Sequence, residues 1–174
     1  MPLDNTALHG EVVALLALDG AGERPMPLVC APPSNAEAVR LLSRARPAEW
    51  FPAARSPQGA LAGLWLYFSC FEQAHAVAQD LHTPEGSYWH GIVHRQEPDD
   101  WNAGYWMKRA GAHPIHDTMR QKADELGVFW SPLSFIDFCA QARREPGSAT
   151  GRLALELQKT EWQLLFSWCA SVRP

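Results

Sequence analysis

The 174-residue sequence predicts a single all-α domain. No stretch alternates apolar and polar residues for long enough to indicate a β-strand. Helix start signals recur instead, in which a serine or threonine cap precedes proline, as in Thr83-Pro84 and Ser131-Pro132. Because 47% of the residues are hydrophobic, a chain of this length can bury roughly two thirds of its unfolded surface. We therefore expect one domain over 1–174, built around a helical hairpin at 61–96.

The N-terminal section, 1–58, predicts two short helices and a connector. Residues 6–18 form the first helix, which ends where glycine and proline follow at 20–27. Ser34 with Glu37 three residues later has the spacing of a capping box and predicts the start of the second helix. Three prolines then predict an irregular connector at 46–58.

The central section, 59–116, carries the helical hairpin and the unusual polar residues. A helix of about six turns is predicted over 61–82, with alternating steps of four and three residues placing seven side chains on one face. This stripe is apolar in its first half and polar in its second: Leu61, Trp65, Phe68, Glu72, His75, Gln79 and His82. Thr83-Pro84 starts the next helix, 84–96, after so short a break that the two helices should fold back antiparallel.

The remaining helices follow from the same start and stop signals. Asp99 or Asp100 should cap a helix that ends at Ala110, before Gly111. A further helix is predicted over 114–126, ended by Gly127, and continues into the C-terminal section, 117–174. Two more helices are predicted there, over 132–144 and 150–171.

Composition argues against several classes of protein. The net charge is −4 and the basic residues are scattered, so we expect no nucleic-acid partner. The apolar run Val12–Leu18 is far shorter than the roughly 20 residues that span a bilayer, and its flanks lack the basic residues of a secretory signal. The four cysteines lie far apart without a Cys-x-x-Cys motif, which predicts free thiols. We expect a cytoplasmic protein without a membrane partner.

The hairpin contains a candidate metal site. Folding at residue 83 should bring His75 opposite His94, Gln79 opposite His90 and Glu72 near Glu97. Spacings of three and four residues let one helix direct two ligands at one ion. His75, His90 and His94 would suit zinc or a single iron with an open position for water, and Glu72 or Glu97 is the candidate catalytic base of a hydrolase. The alternative is a metal-free structural network in which these histidines hydrogen-bond Gln79, Asp80 and Glu97.

The function that the sequence favours over the metal-dependent hydrolase is a pocket for a small polar or anionic molecule, formed by the same histidines and Glu97 with further polar and aromatic residues. The sequence offers positive charge beside aromatic rings, from which we select as ligand-binding candidates Gln79, Arg95, Tyr105, Trp106 and Arg109. In the alternative interpretation the tryptophans are core and the arginines pair with nearby carboxylates. His113 and His116 open the following helix, where His113 would be a capping residue or a fourth metal ligand. A non-catalytic binding or scaffold protein is the remaining functional class.

One block of the chain carries a family resemblance. It comprises the runs Thr-Pro-Glu-Gly-Ser-Tyr-Trp-His at 83–90, His-Arg-x-Glu-Pro-Asp at 94–99, Asn-Ala-x-Tyr-Trp at 102–106 and Arg-x-Gly-x-His-Pro at 109–114. These runs resemble the signature of an uncharacterised, mainly bacterial family of soluble proteins. The sequence departs from that signature at Gly104 and Met107, where a longer side chain and an aromatic ring are usual. The resemblance implies that these polar residues belong to a block that the family shares. It implies no particular activity.

Overall fold

The computed structural model describes residues 8–172. Within that range the chain forms ten α-helices: α1 (Gly10–Ala17), α2 (Ala36–Leu42), α3 (Pro47–Trp50), α4 (Pro57–Tyr67), α5 (Phe71–Asp80), α6 (Pro84–Gln96), α7 (Asp100–Ala110), α8 (Ile115–Glu125), α9 (Pro132–Arg144) and α10 (Ala149–Ala170). The only β-type pairing in the described range is an isolated bridge between Ala54 and Val172. The all-α prediction is confirmed. No helix between residues 8 and 172 is long and apolar enough to cross a membrane.

The core is organised around α4 and α10. Every residue of α4 from Gly59 to Tyr67 is buried, as expected for a helix that is apolar on all sides. Helix α10 packs on α4, α8 and α9, and Trp162 donates its indole N–H to the carbonyl of Gly63 at 2.8 Å. Helices α5, α6 and α7 pack in sequence against this centre. The two helices that carry the histidines, α5 and α6, therefore pack on a buried hydrophobic centre.

The predicted continuous helix over 61–82 is wrong, because the chain breaks at 68–70 into α4 and α5. Ser69 adopts a left-handed conformation with φ of 59°. Its N–H donates to the carbonyl of Leu66, and the N–H of Cys70 donates to that of Trp65, which together close a Schellman cap. The break separates a helix buried on all sides from one whose outer face is solvated. The predicted stripe changes from apolar to polar at this point.

Smaller differences concern the helix ends. Helix α1 begins at Gly10, and residues 6 and 7 of the predicted helix lie outside the described residues. Helix α2 is capped by Asn35, whose side chain accepts from Ala38 N at 3.0 Å, whereas Ser34 donates its hydroxyl to Asp19. The connector at 46–58 contains the short helix α3. Ser131 caps α9 through a capping box completed by Ser134, where the hydroxyl of serine substitutes for the usual glutamate.

Candidate metal centre

A tight junction folds α6 back onto α5. The hydroxyl of Thr83 accepts the N–H of Gly86 at 3.2 Å, and Pro84 occupies the first turn of α6. Gly86 lies so close to the preceding segment that a Cβ there would come within 1.9 Å of the carbonyl oxygen of Leu81. The absence of a side chain at Gly86 therefore permits the close approach of the two helices that carry the histidines.

The junction brings His75, His90 and His94 together. One nitrogen from each ring lies within 4.8 Å of the other two, and Nε2 of His75 is 3.0 Å from Nε2 of His90. The rings of His90 and His94 are stacked with centroids 4.7 Å apart. The ring of His75 meets both of them edge-on, at interplanar angles of 89° and 84°. The three histidines that helix geometry selects thus form one cluster in the folded chain.

The separation of the two Nε2 atoms fits a shared metal ion. Zinc binds imidazole nitrogen at about 2.0–2.1 Å, which places two ligating nitrogens about 2.9 Å apart at a 90° angle and about 3.4 Å apart at the tetrahedral angle. The distance of 3.0 Å between His75 and His90 falls inside that interval. It also fits a hydrogen bond in which one imidazole donates to the other. The cluster therefore suits both the metal site and the metal-free network.

The protonation of the cluster suits metal binding. Burial is the largest of the effects that lower the pKa of His90 to about 4, and the neighbouring His75 and His94 contribute in the same direction. Burial also lowers the pKa of His94, while Glu97 and Asp99 act in the opposite direction. At neutral pH His90 is therefore uncharged, which is the form of imidazole that ligates a metal.

Two carboxylates lie beside His94. Its Nδ1 lies 3.2 Å from Oε2 of Glu97 and 3.7 Å from Oδ2 of Asp99. Ligating histidines commonly present their second nitrogen to a carboxylate, which fixes the tautomer and the direction of the ring. This arrangement leaves Nε2 of His94 available as the metal-binding nitrogen. The sequence predicts Asp99 as a candidate helix cap. It does not indicate that Asp99 lies beside His94.

The outer edge of the cluster is acidic and accessible. His75 and His94 are half-buried, whereas Glu72 and Glu97 are exposed, so solvent reaches the cluster from this side. Both glutamates raise the pKa of Cys30, after the larger effect of burial, which places the exposed Cys30 at the same edge. Sequence reasoning missed Cys30, because it lies more than forty residues before Glu72 and no spacing links it to the histidine cluster. The predicted closeness of Glu72 and Glu97 is consistent with their shared effect on this thiol.

An aromatic wall adjoins the histidines. Trp106 of α7 stacks on His90 with ring centroids 4.1 Å apart. Tyr105 contacts Trp106 edge-on and is 48% exposed, and it stacks in turn on the exposed Trp101. The guanidinium of Arg109 lies 5.6 Å from the centre of the Trp106 ring. Three of the five predicted ligand-binding residues, Tyr105, Trp106 and Arg109, therefore lie beside the cluster.

The other two predicted ligand-binding residues lie elsewhere. Gln79 is exposed near the end of α5, and the expected pairing with His90 is made by His75 instead. Arg95 is completely buried and forms an ion pair with Glu161 of α10, with Nη2 to Oε2 at 2.5 Å. Its guanidinium also lies 4.5 Å from the ring centre of Phe135. Arg95 therefore belongs to the core, as in the alternative interpretation of the arginines.

Two surface cavities lie away from the histidine cluster. One of about 320 Å³ is lined by Gln58, Ala76, Val77, Asp80 and Leu81. The other, of about 290 Å³, is lined by Leu8, His9, Trp50, Phe51, Pro52, Ala170 and Val172. Neither contains a residue of the histidine cluster or of the aromatic wall. The candidate site is therefore identified from its side chains, because neither cavity contains it.

Comparisons with known proteins add no assignment. No family model, no curated protein and no solved structure matches the chain. Any function must be argued from the residues and geometry of the chain itself.

Proposed function

We propose that the protein binds one zinc or iron ion through His75, His90 and His94. The observation that supports this proposal most strongly is the convergence of three ring nitrogens within 4.8 Å, with two of them 3.0 Å apart. The lowered pKa of His90 and the carboxylates beside His94 support it further. Three imidazoles leave at least one coordination position for water or a ligand, which is the arrangement of a catalytic rather than a structural zinc site.

The chemistry that such a centre would supply is the activation of water for hydrolysis. A bound divalent metal lowers the pKa of its water to near 7. Glu72 and Glu97 are exposed at the solvent edge of the cluster, where either carboxylate can serve as general base. Our proposed reaction class is therefore metal-dependent hydrolysis, with Glu72 or Glu97 as base.

A second candidate is a binding site for a small polar or anionic molecule that involves no catalysis. Tyr105, Trp106 and Arg109 favour it, because they offer flat apolar surface and a guanidinium next to His90. Arg109 has no carboxylate within ion-pair distance among residues 8–172, so its charge is available to an anion. In that function the histidines would contribute hydrogen bonds instead of metal bonds.

The deciding experiment is elemental analysis of untagged protein purified without chelators. We expect a metal-to-chain ratio near one, falling to near zero in His90→Ala. The matched control is His82→Ala, since His82 is exposed at the end of the hairpin and lies outside the cluster. Zinc affinity measured by chelator competition should fall more than about 100-fold in His90→Ala, because losing even an outer partner of a ligand costs about 10–100-fold.

Two results separate the candidate functions. A ratio near zero that persists after incubation with zinc or iron contradicts the metal proposal, and thermal-shift screening with phosphate and carboxylates then tests the anion site. If metal is present, hydrolysis of model esters and phosphoesters should require it. Glu72→Gln and Glu97→Gln identify the base when both are assayed in enough zinc to restore a metal-to-chain ratio near one, because only the base variant should then lower kcat.

We also propose a compartment and a family. All four cysteines are free, and three of them are buried, which suits a reducing environment such as the cytoplasm. The residues of the family signature include His90, His94, Glu97, Trp106 and Arg109, which the fold gathers at one place. This gathering supports a shared functional site in the uncharacterised family that the sequence resembles. Cysteine labelling in intact cells tests the redox state directly.

A further inference from the structure

A second histidine cluster lies between α6, the start of α8 and α10. The rings of His113 and His116 both contact the ring of Tyr88, with centroids 5.5 and 5.7 Å away. His113 is only 5% exposed and also meets Trp168, while His116 meets Trp130 at 5.6 Å. The proposed metal centre uses none of these residues, so their chemistry needs a separate explanation.

The hydrogen bonds of the two histidines define their tautomers. Nδ1 of His113 accepts the N–H of Ile115, and Nδ1 of His116 accepts the N–H of His113, both at 3.4 Å. Burial lowers the pKa of His113 to about 4 and also lowers that of His116, so both rings are neutral at pH 7. A neutral imidazole whose Nδ1 accepts must carry its hydrogen on Nε2. Both Nε2 atoms are therefore hydrogen-bond donors.

These donors have no acceptor among the described residues. The Nε2 atoms of His113 and His116 and the Nε1 atom of Trp130 are inaccessible to solvent, and none has a hydrogen-bond partner among residues 8–172. Leaving a buried donor unsatisfied costs about 1–3 kcal/mol, so three such donors close together favour an acceptor that the described residues do not supply. A bound molecule that presents lone pairs would satisfy them.

The local charges select the class of that molecule. Glu85 acts on the pKa of His113, and Glu161 acts on that of His116 together with the ion-paired Arg120 and Asp117. Arg95 neutralises Glu161, but Glu85 has no basic partner within ion-pair distance among the described residues. An anion would therefore be repelled, whereas water accepts from the donors and can donate to Glu161 or to the hydroxyl oxygen of Tyr88, which itself donates to Glu161 at 3.0 Å.

We propose that Tyr88, His113, His116 and Trp130 enclose an internal water site that links the histidine donors to the Glu161–Arg95 ion pair. Each water molecule accepts two hydrogen bonds, so three donors require more than one water. The site is independent of the metal centre, because it shares no residue with it. In this proposal the His113-Pro-Ile-His116 motif has a structural role, because its histidines hold the water that hydrates a buried ion pair.

The test combines crystallography and NMR on the full chain. A crystal structure at about 1.5 Å resolution, from crystals grown in sodium bromide, should show ordered water within hydrogen-bond distance of Nε2 of His113 and His116. Nitrogen-15 NMR at pH 7 should show both rings as the Nε2–H tautomer. His82 is the internal control, since an exposed histidine should show a tautomer mixture and rapid exchange.

Three results would overturn the proposal. An anomalous bromide peak between His113 and His116 would identify an anion as the ligand. Direct bonds from the imidazoles to Tyr88 or Glu161 would show that the protein itself supplies the acceptors. The Nδ1–H tautomer at both histidines would remove the donors on which the site depends.

Discussion

His94 and Arg95 are adjacent in α6, yet their side chains enter two different kinds of polar cluster. His94 is half-buried beside His75, His90 and the carboxylates of Glu97 and Asp99. Arg95 points into the core, where Glu161 pairs with it and Tyr88 donates to the same carboxylate. Successive residues of a helix differ in direction by about 100°, so one helix can carry both clusters.

The two clusters differ in charge pairing and in exposure to solvent. The guanidinium of Arg95 is matched by a carboxylate of opposite charge, and Gln158 bonds the backbone carbonyls of Met26 and Pro27 nearby. The histidine cluster instead brings three imidazoles together at a solvent-accessible, acidic edge. A buried ion pair is typical of structural residues, whereas clustered nitrogens with available lone pairs are typical of binding sites. The difference favours α6 as a helix with one structural and one functional face.

The largest effect should come from breaking the core cluster. Glu161→Ala leaves Arg95 charged and unpaired in the core, and we expect it to lower the free energy of unfolding by about 3–5 kcal/mol. Urea denaturation measures the change. Glu125→Ala is the control, since the exposed Lys122–Glu125 pair should contribute at most about 0.5 kcal/mol. Equal losses in the two variants would show that Arg95 and Glu161 are not structural.

The junction that builds the functional face should be nearly as sensitive. In Gly86→Ala the new methyl group meets the carbonyl of Leu81, so α6 must shift, and we expect a loss of about 3 kcal/mol together with weaker zinc binding. Gly104→Ala is the matched control, because the closest side-chain atom to its Cβ is 4.0 Å away. That variant should gain about 0.5–1 kcal/mol from helix propensity. An unchanged zinc affinity in Gly86→Ala would show that the junction does not position the metal ligands.

Acid should weaken the protein through His113. Its pKa is about 4 when folded and about 6.5 when unfolded, so between these values the unfolded state binds more protons. Stability from this residue is therefore complete above pH 6.5 and lost as the pH falls towards 4, by about 2–3 kcal/mol. The fall from pH 7 to pH 4.5 in urea denaturation should be smaller in His113→Gln than in the wild type. His82→Gln should keep the wild-type slope, and an identical slope in His113→Gln would contradict the prediction.

The smallest effect concerns the break between α4 and α5. Ser69 has φ of 59°, which glycine adopts without strain, so Ser69→Gly should raise the free energy of unfolding by about 0.5–1 kcal/mol. Ser69→Val should lower it, because a β-branched side chain is strained there. Thermal unfolding of the three proteins measures the order. A less stable glycine variant would show that contacts of the serine side chain outweigh the strain.

Much of the fold and part of the site follow from local sequence. The starts of α6 and α9 were correctly predicted by Thr83-Pro84 and Ser131-Pro132, since caps act within one helical turn. The gathering of His75, His90 and His94 was predicted because a short turn at 81–83 limits how two helices can meet. The break at Ser69 was not predicted, because the left-handed position of this cap carries a serine where glycine is the usual signal.

The sequence by itself determined the helical class and the facing histidines, because both depend on spacings within a few residues. The tertiary structure alone decided that Arg95 is a core residue, since its partner Glu161 lies 66 positions further along the chain. It likewise placed Trp106 on His90 and left Gln79 in solvent. Which face of α6 is structural depends on where α10 packs, and that arrangement is set by the burial of apolar surface across the whole domain.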